Sequence, residues 1–343
     1  MNRRTLLAAV SAVAVGAALA AAPLAARAQE TITGVTYIPP SYEDLAFGYQ
    51  GFVERVNEAN PDAVTIDFYD SGRLVSADEQ LPALRSGNID LMFHTTSYVT
   101  RSLPILGITG LPGVVEDLYE HPERLKRGSP LFELVRDELA KQGLELLSLG
   151  GGLMEPEYIW STEAAPVTSI EDIDGKRIRV VSFEATNVVE DFGGAAVRIP
   201  SSELYLAMQR GTVDAAVANI STINGRDLNE QTAAVYKLPL TSFSIGIFMQ
   251  KDRWDALPQE AKDAILEGAE WFDAESAKAA NTEYFEAKYW PAFEEAGIEV
   301  IEPDEAAMQR LEEASQDVRE AWVQEVGEDV GNRAIALALG EES

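Results

Sequence analysis

Arg177 and Arg179 stand two residues apart in a stretch, Arg177 to Val181, that alternates long polar with β-branched side chains just after the turn dipeptide Asp174-Gly175. On a strand, such a pair shares a face with roughly 6–7 Å between its members. Arg179 is nearer the carboxyl end, the edge at which open α/β sheets place their ligands. A guanidinium there can grip a carboxylate through two parallel hydrogen bonds. An ordinary surface salt bridge is the competing account, and for an arginine standing alone it is the better one.

The neighbouring elements are those needed to position such a side chain. A helix is expected from Glu184 to Phe192, stopped by Gly193-Gly194, then a strand from Ala195 to Ile199 and a helix from Ser202 to Arg210 ending at Gly211. This βαβα order predicts an α/β sheet domain. The ordered set Gly175, Lys176, Arg179, Val180, Gly194, Ala195, Pro200, Glu203, Tyr205, Ala207, Gln209, Gly211, Val213 and Asp214 resembles the DctP-type solute-binding proteins of TRAP transporters, and the likeness runs through most of the chain beyond its amino-terminal stretch. The resemblance implies a two-lobed periplasmic binding protein fold, type II-like (a Venus flytrap), with a hinge and carboxy-terminal helices bracing both lobes. It implies that Arg179 matches the family's carboxylate-binding arginine. It also implies a small organic anion as ligand, TRAP membrane subunits driven by an ion gradient as partners, no cofactor, and a monomer.

The chain also repeats itself. Glu79, Ala83, Leu84, Gly87, Ile89 and Asp90 match Glu203, Ala207, Met208, Gly211, Val213 and Asp214, each pair separated by the same 124 positions. Chance similarity of a common helix–Gly–strand unit is one explanation. Two equivalent lobes, each aiming one strand at a shared cleft, is the other, and the resemblance favours it. The segment His94-Thr95-Thr96-Ser97-Tyr98 then faces Ala218-Asn219, and hydroxyls, an amide and a ring suit a small polar ligand. Thr95, Thr96, Tyr98 and Asn219 are accordingly expected ligand contacts, with Tyr42 and Trp160. Relatives carry an asparagine just past this Val-Asp segment, although Asn219 falls one residue later than counting from Asp214 places it, and one residue reverses side-chain direction on a strand.

Relatives also carry a second arginine near position 159, where this chain has Tyr158, Ile159 and Trp160. The departure speaks against a large, doubly anchored acid. It favours a smaller monoanion, carboxylate or sulfonate, or one whose apolar or quaternary-amine part rests on an aromatic face. Trp160 is as well explained by the core.

Along the rest of the chain, Arg3-Arg4, the apolar run Leu6 to Ala22 and the pattern Ala26-Arg27-Ala28 predict an export signal, residues 1–28, cleaved near Ala28. The twin arginines permit either export route. The expected organisation is a first lobe over 29–152, a second over 153–250 with strands returning through both, and bracing helices over 251–343. Strands are expected at Thr31–Tyr37, Val64–Tyr69, Ile89–Phe93, Leu144–Leu149, Tyr158–Ser161, Ala234–Leu238 and Phe243–Gln250. Helices are expected at Tyr42–Glu58, after a capping box at Ser76-x-x-Glu79, across Asp117–Gln142, from Gln259 towards Ala296 with a break near Pro291, and from Asp304 towards Leu339. A second capping box is expected at Thr168-x-x-Glu171. Gly150-Gly151-Gly152 predicts a bend between the lobes, because Glu155-Pro156 spoils a nucleotide loop.

The charge balance excludes one partner class. With 27 basic against 57 acidic residues, the chain carries a formal charge of −30, and nucleic acid is not expected. There is no cysteine, hence no disulfide and no thiol chemistry. Only His94 and His121 are present, with no H-E-x-x-H, G-x-S-x-G or P-loop, so enzymes built on those motifs lack their parts. Acid–base chemistry by paired carboxylates is left, but no pair is singled out. An exported sensor presenting its bound state to a receptor kinase would share the same binding lobes.

Overall fold

The computed structural model describes residues 29–341; the expected export signal, residues 1–28, lies outside the described residues. Eleven strands form two sheets among them. In chain order the strands are β1 (Glu30–Val35), β2 (Val64–Tyr69), β3 (Leu91–Thr95), β4 (Leu144–Ser148), β5 (Met154–Ser161), β6 (Arg177–Val180), β7 (Ala195–Arg198), β8 (Ala215–Ala218), β9 (Ala234–Phe243), β10 (Ile245–Gln250) and β11 (Glu299–Ile301). The first sheet has the order β2-β1-β3-β10-β4 and the second β11-β9-β5-β8-β6-β7.

Each sheet is built on one plan. Three parallel strands (β2, β1 and β3, or β7, β6 and β8) are joined by one antiparallel strand that arrives from the other lobe. β5 is reached from β4 through the three glycines, and β10 from β9 through Ser244 alone. Gly150, Gly151 and Gly152 all have positive φ, and a Cβ on Gly151 would collide with the backbone of Asp273. Only glycine fits that crossing.

The repeat is reproduced in three dimensions. The helix Ala77–Arg85 before β3 and the helix Ser201–Gln209 before β8 are separated by the same 124 positions as their sequences, and so are β3 and β8. β3 starts at Leu91, two residues past the expected Ile89, because Asp90 is used as a side-chain acceptor for the neighbouring strand.

Several expected helices differ for local reasons. The stretch 117–142 is divided into Val115–Glu120, a 3-10 turn Pro122–Leu125 and Pro130–Ala140, since a proline cannot donate within a continuing helix. Neither expected capping box forms. Ser76 Oγ donates to Glu79 instead of accepting from the backbone, and at the other site the Asp172 carboxylate accepts from the Thr168 and Ser169 amides ahead of a single 3-10 turn. The helix after Pro258 does not break at Pro291. It runs as α-helix over Gln259–Ala279, as π-helix over Ala280–Tyr289 and as α-helix again over Trp290–Glu295. The wider turn carries the preceding carbonyls clear of the proline ring.

That long helix ties the lobes together. Its Trp271 packs on Phe47 and under Arg55 beside the first sheet, while Trp290 stacks on Trp160 of the second. A second brace, Glu305–Val326, pairs Arg310 with Glu171 at one end and donates from Trp322 Nε1 to the Pro104 carbonyl at 2.7 Å near the other. Gly327, at positive φ, then separates it from the last helix, Glu328–Leu339.

Candidate ligand-binding site

The two arginines that open the second sheet have different surroundings. Arg177 is half exposed and pairs with Asp214 through two side-chain bonds, Nη2 to Oδ1 at 2.7 Å and Nε to Oδ2 at 3.1 Å. Arg179 is 2% exposed, and no carboxylate among the described residues lies within ion-pair distance of it. Its Nε donates to the Ile199 carbonyl at 2.8 Å, Nη1 to the Val217 carbonyl at 2.9 Å and Nη2 to the Tyr98 hydroxyl at 3.4 Å. A guanidinium has five N–H groups, so one remains on each terminal nitrogen beyond these bonds to described residues. The surface salt bridge weighed in the sequence is thus the role of Arg177, two residues away from the buried arginine.

All three acceptors lie at the carboxyl end of the parallel strands. Ile199 follows β7, Val217 is the penultimate residue of β8, and Tyr98 reaches across from the first lobe. Tyr98 is fixed by the Ser201 amide, which donates to its hydroxyl at 2.8 Å, and by ring contacts with Tyr37 and His94. Burial lowers the pKa of His94 behind that ring. The neighbouring Ser97 Oγ is buried without a hydrogen-bond partner among the described residues.

The other expected contacts divide. Asn219 directly follows β8 and is fully buried, but its amide is occupied. Oδ1 accepts from the Ser221 amide at 2.9 Å, capping the short helix Ile220–Gly225, and Nδ2 donates to the Glu155 carbonyl at 2.5 Å. Thr95 Oγ1 bonds to the Tyr37 hydroxyl at 2.6 Å. Thr96 bonds to Ser244 at 2.6 Å and Thr109 at 3.0 Å, at the strand crossing. Tyr42 lies under the Arg226 guanidinium and against Gly225, where it closes the lobes on each other. Trp160 is wholly buried, stacked on Trp290 at 5.6 Å and edge-on to Phe293, with Nε1 donating to the Ala218 carbonyl at 2.9 Å. Its ring supports the sheet from the helix side.

Further contacts join the lobes. Ser221 Oγ donates to Asp44 at 2.6 Å, Arg198 to Asp78 at 2.8 Å, Ser41 Oγ to the Gly225 carbonyl at 2.7 Å, and the Phe183 amide to Thr100 Oγ1 at 3.3 Å. The chain is therefore in a closed arrangement.

One group at this end of the sheet was not singled out in the sequence. Glu157 on β5 is 2% exposed and opposes Thr241 of β9, one residue before the Tyr158–Ala218 pair. Burial pushes its carboxyl up to about 8, with the Arg179 guanidinium pulling the other way. The available signal was a glutamate directly before the apolar run Tyr158 to Trp160, with Glu155 two residues ahead of it. Among 57 acids that signal is weak. No group of three histidine, aspartate or glutamate residues suited to a metal occurs among the described residues.

Comparison with known proteins agrees with this architecture. The chain is 26% identical over 310 residues to a solute-binding protein of Albidiferax ferrireducens, covering 86% of this chain and 85% of the relative. It is 22% identical over 349 residues to the C4-dicarboxylate-binding periplasmic protein DctP of Rhodobacter capsulatus, covering 98% and 97%. Among solved structures it resembles a TRAP periplasmic solute binding protein from Sulfurospirillum deleyianum with bound succinate, at a TM-score of 0.76 and 21% identity over 90% of this chain and 99% of that one. The pattern that defines bacterial extracellular solute-binding protein family 7, DctP, matches residues 41–325, and the chain belongs to that family.

Proposed function

We propose that the chain is the periplasmic receptor of a TRAP transporter, and that it captures a small organic carboxylate between its lobes with Arg179 pairing the acid group. The observation that carries this reading is the state of Arg179, a buried cation held by two backbone carbonyls and a tyrosine hydroxyl, with N–H groups to spare and no protein carboxylate within pairing distance. A buried charge is costly unless paired, and a ligand carboxylate would supply the pair. The relatives named for dicarboxylate binding and for bound succinate support the same class.

Tyr98 and Ser97 complete the shell from the first lobe, while Asn219 sets its floor by holding the Ile220–Gly225 helix against β5. Solute entry requires the contacts of Asp44, Asp78, Tyr42 and Thr100 with the second lobe to open. Capture is then a shift of population towards the closed form, driven by bonds that exist only there. The closed form docks on TRAP membrane subunits as a monomer, after export and removal of residues 1–28. Titration calorimetry of residues 29–343 against small carboxylates and sulfonates tests the reading. Heat of binding is expected for a carboxylate and should vanish with Arg179→Ala. A folded variant with unchanged affinity would sink the assignment of Arg179.

A further inference from the structure

The sequence suggested that a cationic part of a ligand could rest on Trp160, but the structure commits that ring to Trp290 and Phe293. What lies at the ligand end of the second sheet instead is a carboxylate. β5 runs antiparallel to β8 and the pairing ends at Tyr158 opposite Ala218; Glu157 precedes the one and Asn219 follows the other, bonding to the Glu155 carbonyl, at the end of the sheet where Arg179 is held. The three residues are each 2% exposed or less.

Glu157 and Arg179 are not in an ion pair at 4.0 Å or less among the described residues. The Glu157 carboxylate accepts no hydrogen bond from a described residue, and Arg179 is the charge that acts on it most strongly. Buried with no cation in contact, the Glu157 carboxyl keeps its proton near neutral pH, and a cation brought beside it favours the ionised form, a gain that a second carboxylate does not offer. A ligand with a positive group beside its carboxylate meets both side chains with the complementary sign.

We infer that the site is built for a zwitterion, a small carboxylate that also carries an ammonium or quaternary nitrogen, with the acid group on Arg179 and the cation facing Glu157. The inference rests on the carboxylate-receptor reading and specifies the other end of its ligand. It makes Glu157 the residue that separates zwitterions from simple organic acids.

The test uses pairs of ligands alike in shape that differ only in the cation: 4-aminobutyrate against pentanoate, glycine betaine against 3,3-dimethylbutanoate, and proline against cyclopentanecarboxylate, with succinate alongside. Each is titrated into residues 29–343 and into Glu157→Gln and Arg179→Ala, with folding checked by circular dichroism. The expected result is that the tightest ligand is a zwitterion, bound at least about tenfold more tightly than its counterpart with carbon in place of the nitrogen. That preference should fall to about threefold or less in Glu157→Gln, which keeps the side chain's size and a hydrogen-bond donor but cannot ionise against a cation. Simple acids or succinate binding as tightly as the zwitterions, and still depending on Arg179, would overturn the inference and leave the receptor reading standing. A zwitterion preference that survives in Glu157→Gln would overturn the role given to Glu157. Absence of binding by every compound in the folded wild type would overturn both.

Discussion

The two lobes share a scaffold and differ in charge. In each, a helix ends at a glycine with positive φ, Gly87 or Gly211, and an aspartate three residues on precedes the strand that points at the cleft. Asp90 Oδ2 accepts from the Thr33 amide at 2.8 Å, and Asp214 Oδ2 accepts from the Arg177 amide at 2.8 Å. The aspartate thus ties its own strand to the amide of the neighbouring parallel strand in both lobes. Counting two residues along those neighbours reaches Val35 in one lobe and Arg179 in the other. The strand ends likewise carry Thr95 in one lobe and Asn219 in the other. The repeated unit therefore supplies position, and chemistry comes from residues outside the repeated pattern, with the cation on one side only.

That asymmetry can be broken by mutation. The largest effect is expected at Arg179, where Arg179→Ala should cost about 2–5 kcal/mol of carboxylate affinity, the range for removing one partner of a buried charged pair. Next come Asp90→Ala and Asp214→Ala, which should lower stability by similar amounts, about 1–3 kcal/mol each, because each strands a backbone amide and an arginine partner, Arg253 or Arg177. Chemical denaturation of the two variants measures this, and unequal losses would undo the equivalence of the lobes. Asp214 has its pKa lowered by the bonds from Arg177. Its contribution should therefore be complete above about pH 4 and lost as pH falls through the lower folded value. Smaller again is Tyr98→Phe, expected to weaken ligand binding by about 1 kcal/mol, since it removes one hydroxyl shared by Arg179 and the Ser201 amide. A loss as large as that of Arg179→Ala would mean that the first lobe holds the ligand equally.

The same asymmetry explains what could be read from the sequence. The repeat, the α/β class, the glycine crossing and the place of Arg179 near the carboxyl end of its strand were legible because each leaves a local mark: a fixed spacing, a turn dipeptide, a run of glycines, an alternation of polar and β-branched residues. Trp160 was not decidable, since whether an aromatic ring meets ligand or core depends on Trp290, 130 positions away. Glu157 left no usable mark for the same reason, because its significance comes from burial beside Asn219 and near Arg179. The second capping box failed because a better acceptor, Asp172, lay one residue beyond the expected glutamate, and the first because the Ser76 hydroxyl donates to Glu79. Asn219 was expected from the resemblance as a ligand contact, and its use as a helix cap left no mark in the sequence because it depends on a turn that its own position creates.

A last comparison concerns two buried acids at matching places. Asp44 and Glu184 are each the second residue of the helix that follows the first parallel strand of its lobe, and each is 1% exposed. Burial raises the pKa of both, Asp44 to about 6 and Glu184 to about 7. Asp44 has partners on both oxygens, Ser221 and Tyr289, whereas Glu184 Oε2 is buried without one among the described residues. A carboxyl whose folded pKa exceeds its unfolded value, near 4.3 for glutamate, keeps a proton that the unfolded chain has released. The stability linked to that proton is complete below about pH 4 and is lost as pH rises through about 7. Glu184→Gln should therefore gain stability relative to wild type across that window, on the order of 3 kcal/mol at pH 8, and show no gain at pH 4. Asp44→Asn should gain less, because its hydrogen bonds to Ser221 and Tyr289 are partly lost with the charge. Thermal unfolding of both variants at pH 4, 6 and 8 distinguishes the two acids, and a Glu184→Gln gain that does not change with pH would show that packing against Gly107, rather than the proton, sets its effect.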